Sequence, residues 1–314
     1  MKKNYHISII IPVHNESENL HWHHKVITDA LDSKDYSKEI IYVNDGSSDD
    51  SIEIIKQIAA NDSSVRYISF SRNFGKEAAT SAGLQKASGD AAVIMDADGQ
   101  HPINTVSTFV EKWQEGAQVV IGVRSNDKGG GLVKELGSRL FYFILRLFGA
   151  NGSTQQGLTD FRLIDRRVID EFNKLTEHNR VSRNLIDWLG FRREYVPFVA
   201  EKRHAGTASY SFRKLLKLAL DGIVKHSTRP LKLIGVIGSI ISSISFLLLL
   251  FILVEQYVFN DPMQLGITGS ALLAIFLSFM VGIVLFCQGL LALYLENVYF
   301  ETQNRPLYIV DEEK

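Results

Sequence analysis

The sequence lacks several features that would place it in common classes of protein. Its 314 residues contain a single cysteine, Cys287, which excludes a disulfide within one chain and a metal site built from cysteines. A metal would therefore need oxygen or histidine ligands. The 34 lysines and arginines are balanced by 35 aspartates and glutamates, so no overall basic charge favours nucleic-acid binding. Internal repeats and low-complexity segments are also missing, and 46% hydrophobic residues allow one large or two modest folded domains.

The N-terminal segment lacks the pattern of a cleaved export signal. Its lysines are followed by a short apolar run, Ile7 to Val13, and then by Asn15 and Glu16 without a small-residue cleavage site. We expect this run to be a buried strand instead.

Two long apolar segments lie near the C-terminus, at 231–254 and 267–295. Each is long enough to cross a hydrocarbon core, which takes about 20 apolar residues. The loop 255–266 has no lysine or arginine, whereas both outer flanks do. The positive-inside rule then predicts a transmembrane hairpin, 230–296, with both termini and the tail 297–314 in the cytoplasm. The alternative is a pair of buried core helices, which seldom stay apolar for this length.

Residues 1–205 predict an α/β domain, because short apolar runs alternate with helix-like segments. We expect a mostly parallel sheet, in which ligands bind at the carboxyl ends of the strands. Polar residues follow several runs at that point, for example Asn44-Asp45-Gly46 and Asp96-Ala97-Asp98, which predicts one site built from several loops. The predicted strands are 6–13, 39–43, 65–70, 91–95 and 118–123, and one predicted helix is 48–61.

Two further segments, 133–149 and 206–229, interleave apolar with basic residues. Such segments can lie in a lipid interface, with the basic side chains reaching the headgroups. The alternative for each is a core-facing helix with a solvated basic face.

Carboxylates supply the chemistry of the predicted site. Asp96 and Asp98 follow an apolar run, and alternate residues of an extended segment face the same way, so both can converge on Mg²⁺ or Mn²⁺. Phosphates of a nucleotide would complete the coordination, and the metal would neutralise a departing diphosphate. Asp45 can accept hydrogen bonds from a base or a ribose. His101 is expected to cap the next helix rather than to bind the metal.

Seven motifs follow one another along the chain and precede the apolar segments: IPVHNE, VNDGSSDDS, SRNFGKEAATSAGL, MDADGQHP, GVRSND, GLTDFRLIDRRV and KRHAGTASYSFRKL. This order resembles the polyprenyl-phosphate glycosyltransferases of glycosyltransferase family 2, over essentially the whole chain. The resemblance implies a GT-A fold and an inverting transfer of glucose from UDP-glucose to undecaprenyl phosphate, for cell-envelope glycosylation at the bacterial inner membrane. UDP-N-acetylglucosamine and GDP-mannose remain alternative donors, and relatives suggest a homotetramer.

The resemblance also implies roles for individual residues. Asp96 and Asp98 would hold the metal, and Asp160 would lie near the reacting centre with Arg162 beside it. A phosphate monoester is mostly dianionic at pH 7, so we expect Asp160 mainly to position the acceptor, the metal or Arg162, with a modest proton-accepting role at lower pH. Nucleotide-sugar binding is expected of Pro12, Glu16, Asp45, Asp96, Gln100, Arg124 and Arg203, and lipid-phosphate binding of Arg139, Arg146, Lys214 and Lys217.

Three other interpretations stay open. A processive polysaccharide synthase would carry a Q-x-x-R-W motif and more spans, whereas SRNLID precedes Trp188 here. A catalytically silent membrane scaffold would have lost Asp96, Asp98 or Asp160, all of which are present. A tethered enzyme acting on a water-soluble acceptor would not need the amphipathic segments.

Overall fold

The computed structural model describes residues 5–32, 35–125, 158–177, 180–201 and 269–314, together with isolated positions between 240 and 254. The chain divides into two compact units. The first comprises residues 1–135, 152–209 and 304–314, and the second comprises residues 136–151 and 210–303.

Strands and helices alternate through the described part of the first unit. The predicted alternation of the α/β domain is confirmed. In chain order the elements are β1 (His6–Val13), α1 (Ser17–Leu31), β2 (Ser37–Asn44), α2 (Ser51–Asn61), β3 (Val65–Phe70), α3 (Lys76–Lys86), β4 (Ala91–Ile94), α4 (Asn104–Gln114), β5 (Val119–Arg124), β6 (Leu158–Asp165), α5 (Arg166–Lys174), α6 (Ser182–Trp188), β7 (Arg193–Phe198) and, after the second unit, β8 (Val310–Glu313).

The strands of the described residues form one sheet in the order β7-β5-β6-β4-β1-β2-β3-β8. β1 pairs in parallel with β2 and β4, β2 with β3, and β5 with β7. β6 is antiparallel to β4 and β5, and β8 is antiparallel to β3. The mostly parallel sheet is confirmed, with an antiparallel insertion at β6.

Both faces of the central strands are buried, which explains their isoleucine-rich sequences. Ile9 packs with α1, α2 and α4, whereas its neighbour Ile10 packs with α3, α5 and α6 on the opposite face. Both side chains are 0% exposed, and burying such a side chain contributes about 1.5–3 kcal/mol. The result is a helix-sheet-helix sandwich with its core on both sides of β1.

A crevice opens where β1 and β4 part. Their pairing ends at Ile10 and Ile94, after which the Met95 N–H donates to the Ile10 carbonyl. Pro12 lies two residues further along β1, beyond the end of β4, where its missing N–H leaves no gap in the ladder. Because β2 lies on one side of β1 and β4 on the other, this is the switch point at which doubly wound sheets bind ligands.

The predicted helix 48–61 begins three residues later, at Ser51. Its N-cap, Asp50, makes no capping bond with its side chain. Asp49 accepts hydrogen bonds from the backbone N–H groups of Ser51 and Ser17 instead, each at 3.1 Å. One carboxylate therefore joins the first turns of α1 and α2.

Most of the described part of the second unit is α7, which runs from Gly269 to Thr302 over 34 residues. Among the residues that the structure describes, no helix has the combined length and hydropathy of a membrane span. The predicted span 267–295 falls largely on α7, where many side chains are not described. The predicted span 231–254, apart from isolated positions, and the amphipathic segments 133–149 and 206–229 lie outside the described residues.

The C-terminal residues return to the first unit as its edge strand, β8. Lys86 Nζ lies 2.9 Å from the Glu313 carboxylate, and Tyr308 stacks on Phe70 with ring centroids 4.7 Å apart. Backbone hydrogen bonds and an aromatic contact thus attach the tail to β3, and an ion pair joins it to the end of α3.

Candidate active site

The loops after β1, β2 and β3 approach one another closely at the carboxyl edge of the sheet. Gly46 has a φ of +57°, and a Cβ atom there would lie 2.2 Å from the Arg72 carbonyl carbon. Only glycine fits such a close approach of two backbones. Asn15 also has a positive φ, of 55°, and its side-chain oxygen accepts a hydrogen bond from the Ser48 N–H at 2.8 Å.

Asp45 is buried at the end of β2, with 3% exposure. Its carboxylate accepts hydrogen bonds from the backbone N–H groups of Phe74 at 2.7 Å and Gly75 at 2.9 Å. Burial raises the pKa of Asp45, although these two donors oppose the shift. The side chain predicted to bind a base or ribose therefore also fixes the turn that begins α3.

Lys76, the first residue of α3, stands directly after that turn. Its Nζ lies 2.5 Å from Asp96 Oδ1 and 3.2 Å from Asp160 Oδ2. Burial lowers the pKa of Lys76, but the two carboxylates outweigh it and raise the pKa above its usual value. The ammonium thus joins the carboxylate predicted to hold a metal to the one predicted near the reacting centre.

Sequence reasoning missed Lys76. It lies inside one of the seven motifs, SRNFGKEAATSAGL, but no role was inferred for it. The available signal was its place, because a lysine that opens the helix after β3 starts at the same sheet edge as the aspartates after β4.

The two aspartates of the predicted metal site lie beyond the end of β4 at Ile94, with Asp98 in a turn, and not in an extended strand. The argument from alternate residues of a strand is therefore wrong for this pair. Asp98 is buried, with 9% exposure, and its Oδ1 accepts a hydrogen bond from the Gln100 N–H at 3.0 Å. Gln100, predicted beside the metal or sugar, thus holds Asp98 through its backbone.

The residues present fit a hard divalent cation. Carboxylate oxygens are the ligands that Mg²⁺ and Mn²⁺ prefer, and two of them leave coordination positions for phosphate. In the described part of the chain, no three histidine, cysteine, aspartate or glutamate side chains form a metal-binding cluster.

His101 does not cap the next helix, and that prediction is wrong. α4 begins at Asn104, and its N-cap, Ile103, makes no side-chain capping bond. The His101 ring instead stacks on Phe161 at 4.6 Å, and its Nδ1 accepts a hydrogen bond from the Asp96 N–H at 3.1 Å. Burial lowers the pKa of His101, which keeps the ring neutral and able to accept that bond. Its role is to hold the backbone of Asp96.

Asp160, on β6, lies among cations. Besides Lys76, Arg183 Nη1 lies 3.9 Å from its Oδ1. Burial alone would raise the pKa of Asp160, but Lys76, Arg183 and Arg162 together hold it below its usual value. An ionised carboxylate with a low pKa is a weak proton acceptor, so the positioning role stays our prediction for Asp160.

Arg162 lies on the same side of β6 as Asp160 but deeper, with 2% exposure. Its Nη2 donates to the Thr159 carbonyl at 3.2 Å, and its Nη1 lies 3.9 Å from the Asp187 carboxylate. Arg193 lies 3.4 Å from the same carboxylate. Arg162 therefore lies near Asp160, as expected, but beneath the site. The guanidinium of Arg183 is the more exposed of the two.

The other predicted site residues are placed as follows. Pro12 is partly buried where the crevice opens, and Glu16 is the N-cap of α1 and accepts a hydrogen bond from the Asn19 side chain at 2.6 Å. Arg124 is exposed at the end of β5. Five predicted residues lie outside the described part of the chain: Arg139, Arg146, Arg203, Lys214 and Lys217.

Two sequence relatives match almost the whole chain. The bactoprenol glucosyl transferase of Shigella phage SfV is 36% identical over 308 residues, which cover 98% of this chain and 99% of that protein. An uncharacterized glycosyltransferase of Bacillus subtilis (strain 168), YkcC, is 38% identical over 316 residues, covering 99% of this chain and 95% of the relative.

Two solved structures share the fold at low sequence identity. Glucosyl-3-phosphoglycerate synthase from Mycobacterium tuberculosis, in complex with Mn²⁺, UDP and glucosyl-3-phosphoglycerate, superimposes with a TM-score of 0.51 at 24% identity, over 71% of this chain and 79% of the other. Mannosyltransferase PcManGT from Pyrobaculum calidifontis, with GDP-Man and Mn²⁺, gives 0.51 at 18% identity, over 71% and 64%. Both likenesses support the GT-A-like α/β fold.

The family model "Glycosyl transferase family 2" matches residues 8–172. That stretch contains Asp45, Lys76, Asp96, Asp98 and Asp160, the residues that converge at the carboxyl edge of the sheet. With this match and near-full-length relatives above 35% identity, the chain belongs to glycosyl transferase family 2 and is a glycosyltransferase.

Proposed function

We propose that this enzyme transfers glucose from UDP-glucose to undecaprenyl phosphate with inversion at the anomeric carbon. The observation that carries the proposal is the bridge from Asp96 through Lys76 to Asp160, because it brings the metal-side and acceptor-side carboxylates to one crevice. The similarity to a bactoprenol glucosyl transferase over 98% of the chain supports the choice of sugar and acceptor.

The donor binds at the switch point between β1 and β4. Asp96 and Asp98 would hold Mg²⁺ or Mn²⁺, and the metal would supply positive charge beside the diphosphate leaving group. Pro12, Glu16 and Asp45 line the nucleotide side, and Arg124 with Arg203 provides guanidinium groups suited to phosphate oxygens. His101 and Gln100 keep the Asp96–Asp98 turn in place through the backbone.

The acceptor phosphate attacks from the Asp160 side. One phosphate oxygen forms a bond to the anomeric carbon while the bond from that carbon to the UDP oxygen breaks. The phosphate monoester is mostly dianionic near pH 7, so it needs no base to remove a proton. Asp160 holds Lys76 and Arg183 in the site, and the Arg183 guanidinium, whose side chain is 47% exposed, binds the acceptor phosphate.

A lipid acceptor requires contact with a membrane. We infer that 230–296 forms the transmembrane hairpin in the bacterial inner membrane, with both termini cytoplasmic, and that Arg139, Arg146, Lys214 and Lys217 guide the lipid phosphate. The described side chains of α7 support an apolar environment, since Leu273, Leu277 and Val284 are each more than half exposed. Assembly as a homotetramer belongs to the same proposal.

The test is transfer of labelled sugar to undecaprenyl phosphate in detergent. UDP-glucose, UDP-N-acetylglucosamine, UDP-galactose and GDP-mannose are each supplied with and without Mg²⁺ or Mn²⁺, and Asp98→Ala is the inactive control. We expect metal-dependent label in the lipid phase from UDP-glucose alone. Label from another donor would reassign the sugar, and label only on a water-soluble acceptor, or on none, would reject the lipid acceptor.

A further inference from the structure

Lys76 makes its closest contact with the carboxylate through which Asp96 would bind a metal. Nζ and Asp96 Oδ1 lie 2.5 Å apart, in direct contact as an ion pair. A divalent cation that uses the same oxygen has to share it with an ammonium group or displace that group.

The ammonium is held in this place from two sides. The backbone of α3 is anchored at its start because the Gly75 N–H, immediately before Lys76, donates to the buried Asp45 carboxylate at 2.9 Å. Asp160 Oδ2, 3.2 Å from Nζ, holds the other end of the side chain. Lys76 is therefore a positioned charge and not a mobile surface lysine.

Electrostatics then favours one order of binding. A divalent cation arriving alone meets a like charge on the carboxylate that it needs, which weakens its binding. A cation that arrives with a nucleoside diphosphate brings negative oxygens, which complete its coordination and offer the ammonium new partners. Lys76 can turn toward those oxygens and still reach Asp160.

We propose that Lys76 couples the two ligands, so that Mg²⁺ or Mn²⁺ binds Asp96 and Asp98 tightly only together with the nucleoside diphosphate of the donor. This inference rests on the proposed function for the identity of the donor. Coupling between two binding sites is reciprocal, so Lys76 also makes nucleotide binding depend on the metal.

The experiment measures Mn²⁺ affinity without any transfer reaction. The full-length chain in detergent is titrated with Mn²⁺, and free Mn²⁺ is followed by its electron paramagnetic resonance signal, with and without saturating UDP. The variants are Lys76→Met, which has a similar length but no charge, and Lys76→Arg, which retains the charge. Lys112→Met is the matched control, because Lys112 pairs with Glu115 on the surface of α4. Asp96→Asn measures how much Mn²⁺ binds to the protein at places other than the proposed site.

With the wild type we expect weak Mn²⁺ binding alone and much tighter binding with UDP. In Lys76→Met, Mn²⁺ alone should bind roughly tenfold more tightly, because the competing charge is gone, and UDP should improve the affinity less. Lys76→Arg and Lys112→Met should retain the wild-type coupling.

The inference is overturned if Lys76→Met binds Mn²⁺ alone no more tightly than the wild type while its thermal unfolding is unchanged. Equal coupling by UDP in Lys76→Met and wild type would overturn it as well. Loss of the proposed function gives a different result, in which UDP and Mn²⁺ show the coupling but undecaprenyl phosphate receives no sugar. If another nucleoside diphosphate, and not UDP, tightens Mn²⁺ binding, the proposed donor is wrong. The coupling role of Lys76 is then still supported.

Discussion

Two lysines of the same sheet domain pair with carboxylates in different ways. The side chain of Lys76 at the carboxyl edge is 41% exposed, and that of Lys86 beside the edge strand β8 is 39% exposed. Exposure therefore does not distinguish a lysine of the site from a lysine of the surface. What differs is that Lys76 joins two carboxylates, one after β4 and one on β6, whereas Lys86 forms its ion pair with Glu313 at the sheet edge.

The convergence of two carboxylates on one ammonium has a cost that a surface pair does not have. Holding two negative charges together is unfavourable unless a cation remains between them. The site keeps Lys76 for that purpose, while the edge pair is open to water and screened by salt. Under the proposed function, charge in the site serves binding and catalysis, whereas charge at the edge is expected to contribute little to either.

The largest expected effect comes from neutralising one carboxylate of the site. Asp96→Asn should lower kcat/KM for sugar transfer by about a thousandfold, since charge stabilisation by a bound metal contributes several kcal/mol. The matched change at the edge, Glu313→Gln, should leave transfer unchanged. Steady-state kinetics of both purified variants checks this, and comparable losses in the two would remove the distinction between site and edge.

A second test concerns the buried arginine beneath the site. Arg162→Met should lower the free energy of unfolding by about 3 kcal/mol, because removing one partner of a buried ion pair leaves Asp187 to the more exposed Arg193 at 3.4 Å. Denaturant unfolding measures the change. The double variant Arg162→Met with Asp187→Leu removes both buried charges and should regain most of the stability. If it does not, the packing of Arg162 matters more than its charge.

The sequence predicted the parallel half of the sheet well. β1 and β3 have the predicted bounds, because uninterrupted apolar runs are typical of strands buried on both faces. β6 was not predicted, since Asp160 and Arg162 interrupt its apolar pattern, and their positions are explained by tertiary ion pairs. β8 is short and acidic, and it is a strand because β3 offers a free edge.

The candidate site was also predicted only in part, because contacts between distant parts of the chain leave no local sequence pattern. Asp96 and Asp98 stand directly after a strong apolar run, so local pattern was enough to find them. Lys76 and Asp160 are 84 positions apart, and nothing local links them. His101 was assigned to the wrong role because its position before a proline suggested a helix start, whereas stacking on Phe161 decides its orientation.

The pH dependence of Asp160→Asn tests how the charge of a carboxylate in the site differs from that of an exposed carboxylate at the sheet edge. Lys76, Arg183 and Arg162 hold the pKa of Asp160 below its usual value, so the carboxylate is ionised throughout the range above pH 5. Any contribution of that charge is present above the ordinary aspartate pKa and is lost only as the pH falls below it. Asp160→Asn should therefore reduce transfer by about a hundredfold, the usual cost of misplacing a reacting group, and by the same factor from pH 6 to 9.

Rate profiles of wild type and Asp160→Asn across that range provide the measurement. Recovery of near-wild-type turnover at alkaline pH would instead assign Asp160 a minor role as a base. Glu77→Ala is a useful companion variant, because Glu77 accepts a hydrogen bond from the Ser182 N–H at 2.7 Å and removing that acceptor perturbs α6 without changing Asp160 itself.

The smallest effect is expected at the sheet edge. Lys86→Ala should change the free energy of unfolding by about 0.5 kcal/mol or less, because an exposed ion pair is weakened by solvent and by the entropy of two long side chains. β8 keeps its backbone pairing with β3 and the contact of Tyr308 with Phe70, so the tail should remain attached. A double-mutant cycle of Lys86→Ala and Glu313→Ala, measured at low and high salt, isolates the pair from the rest of the edge. A coupling free energy above about 1.5 kcal/mol that persists in high salt would show that the edge pair is as strong as a buried one, and the contrast with Lys76 would then lie in the second carboxylate alone.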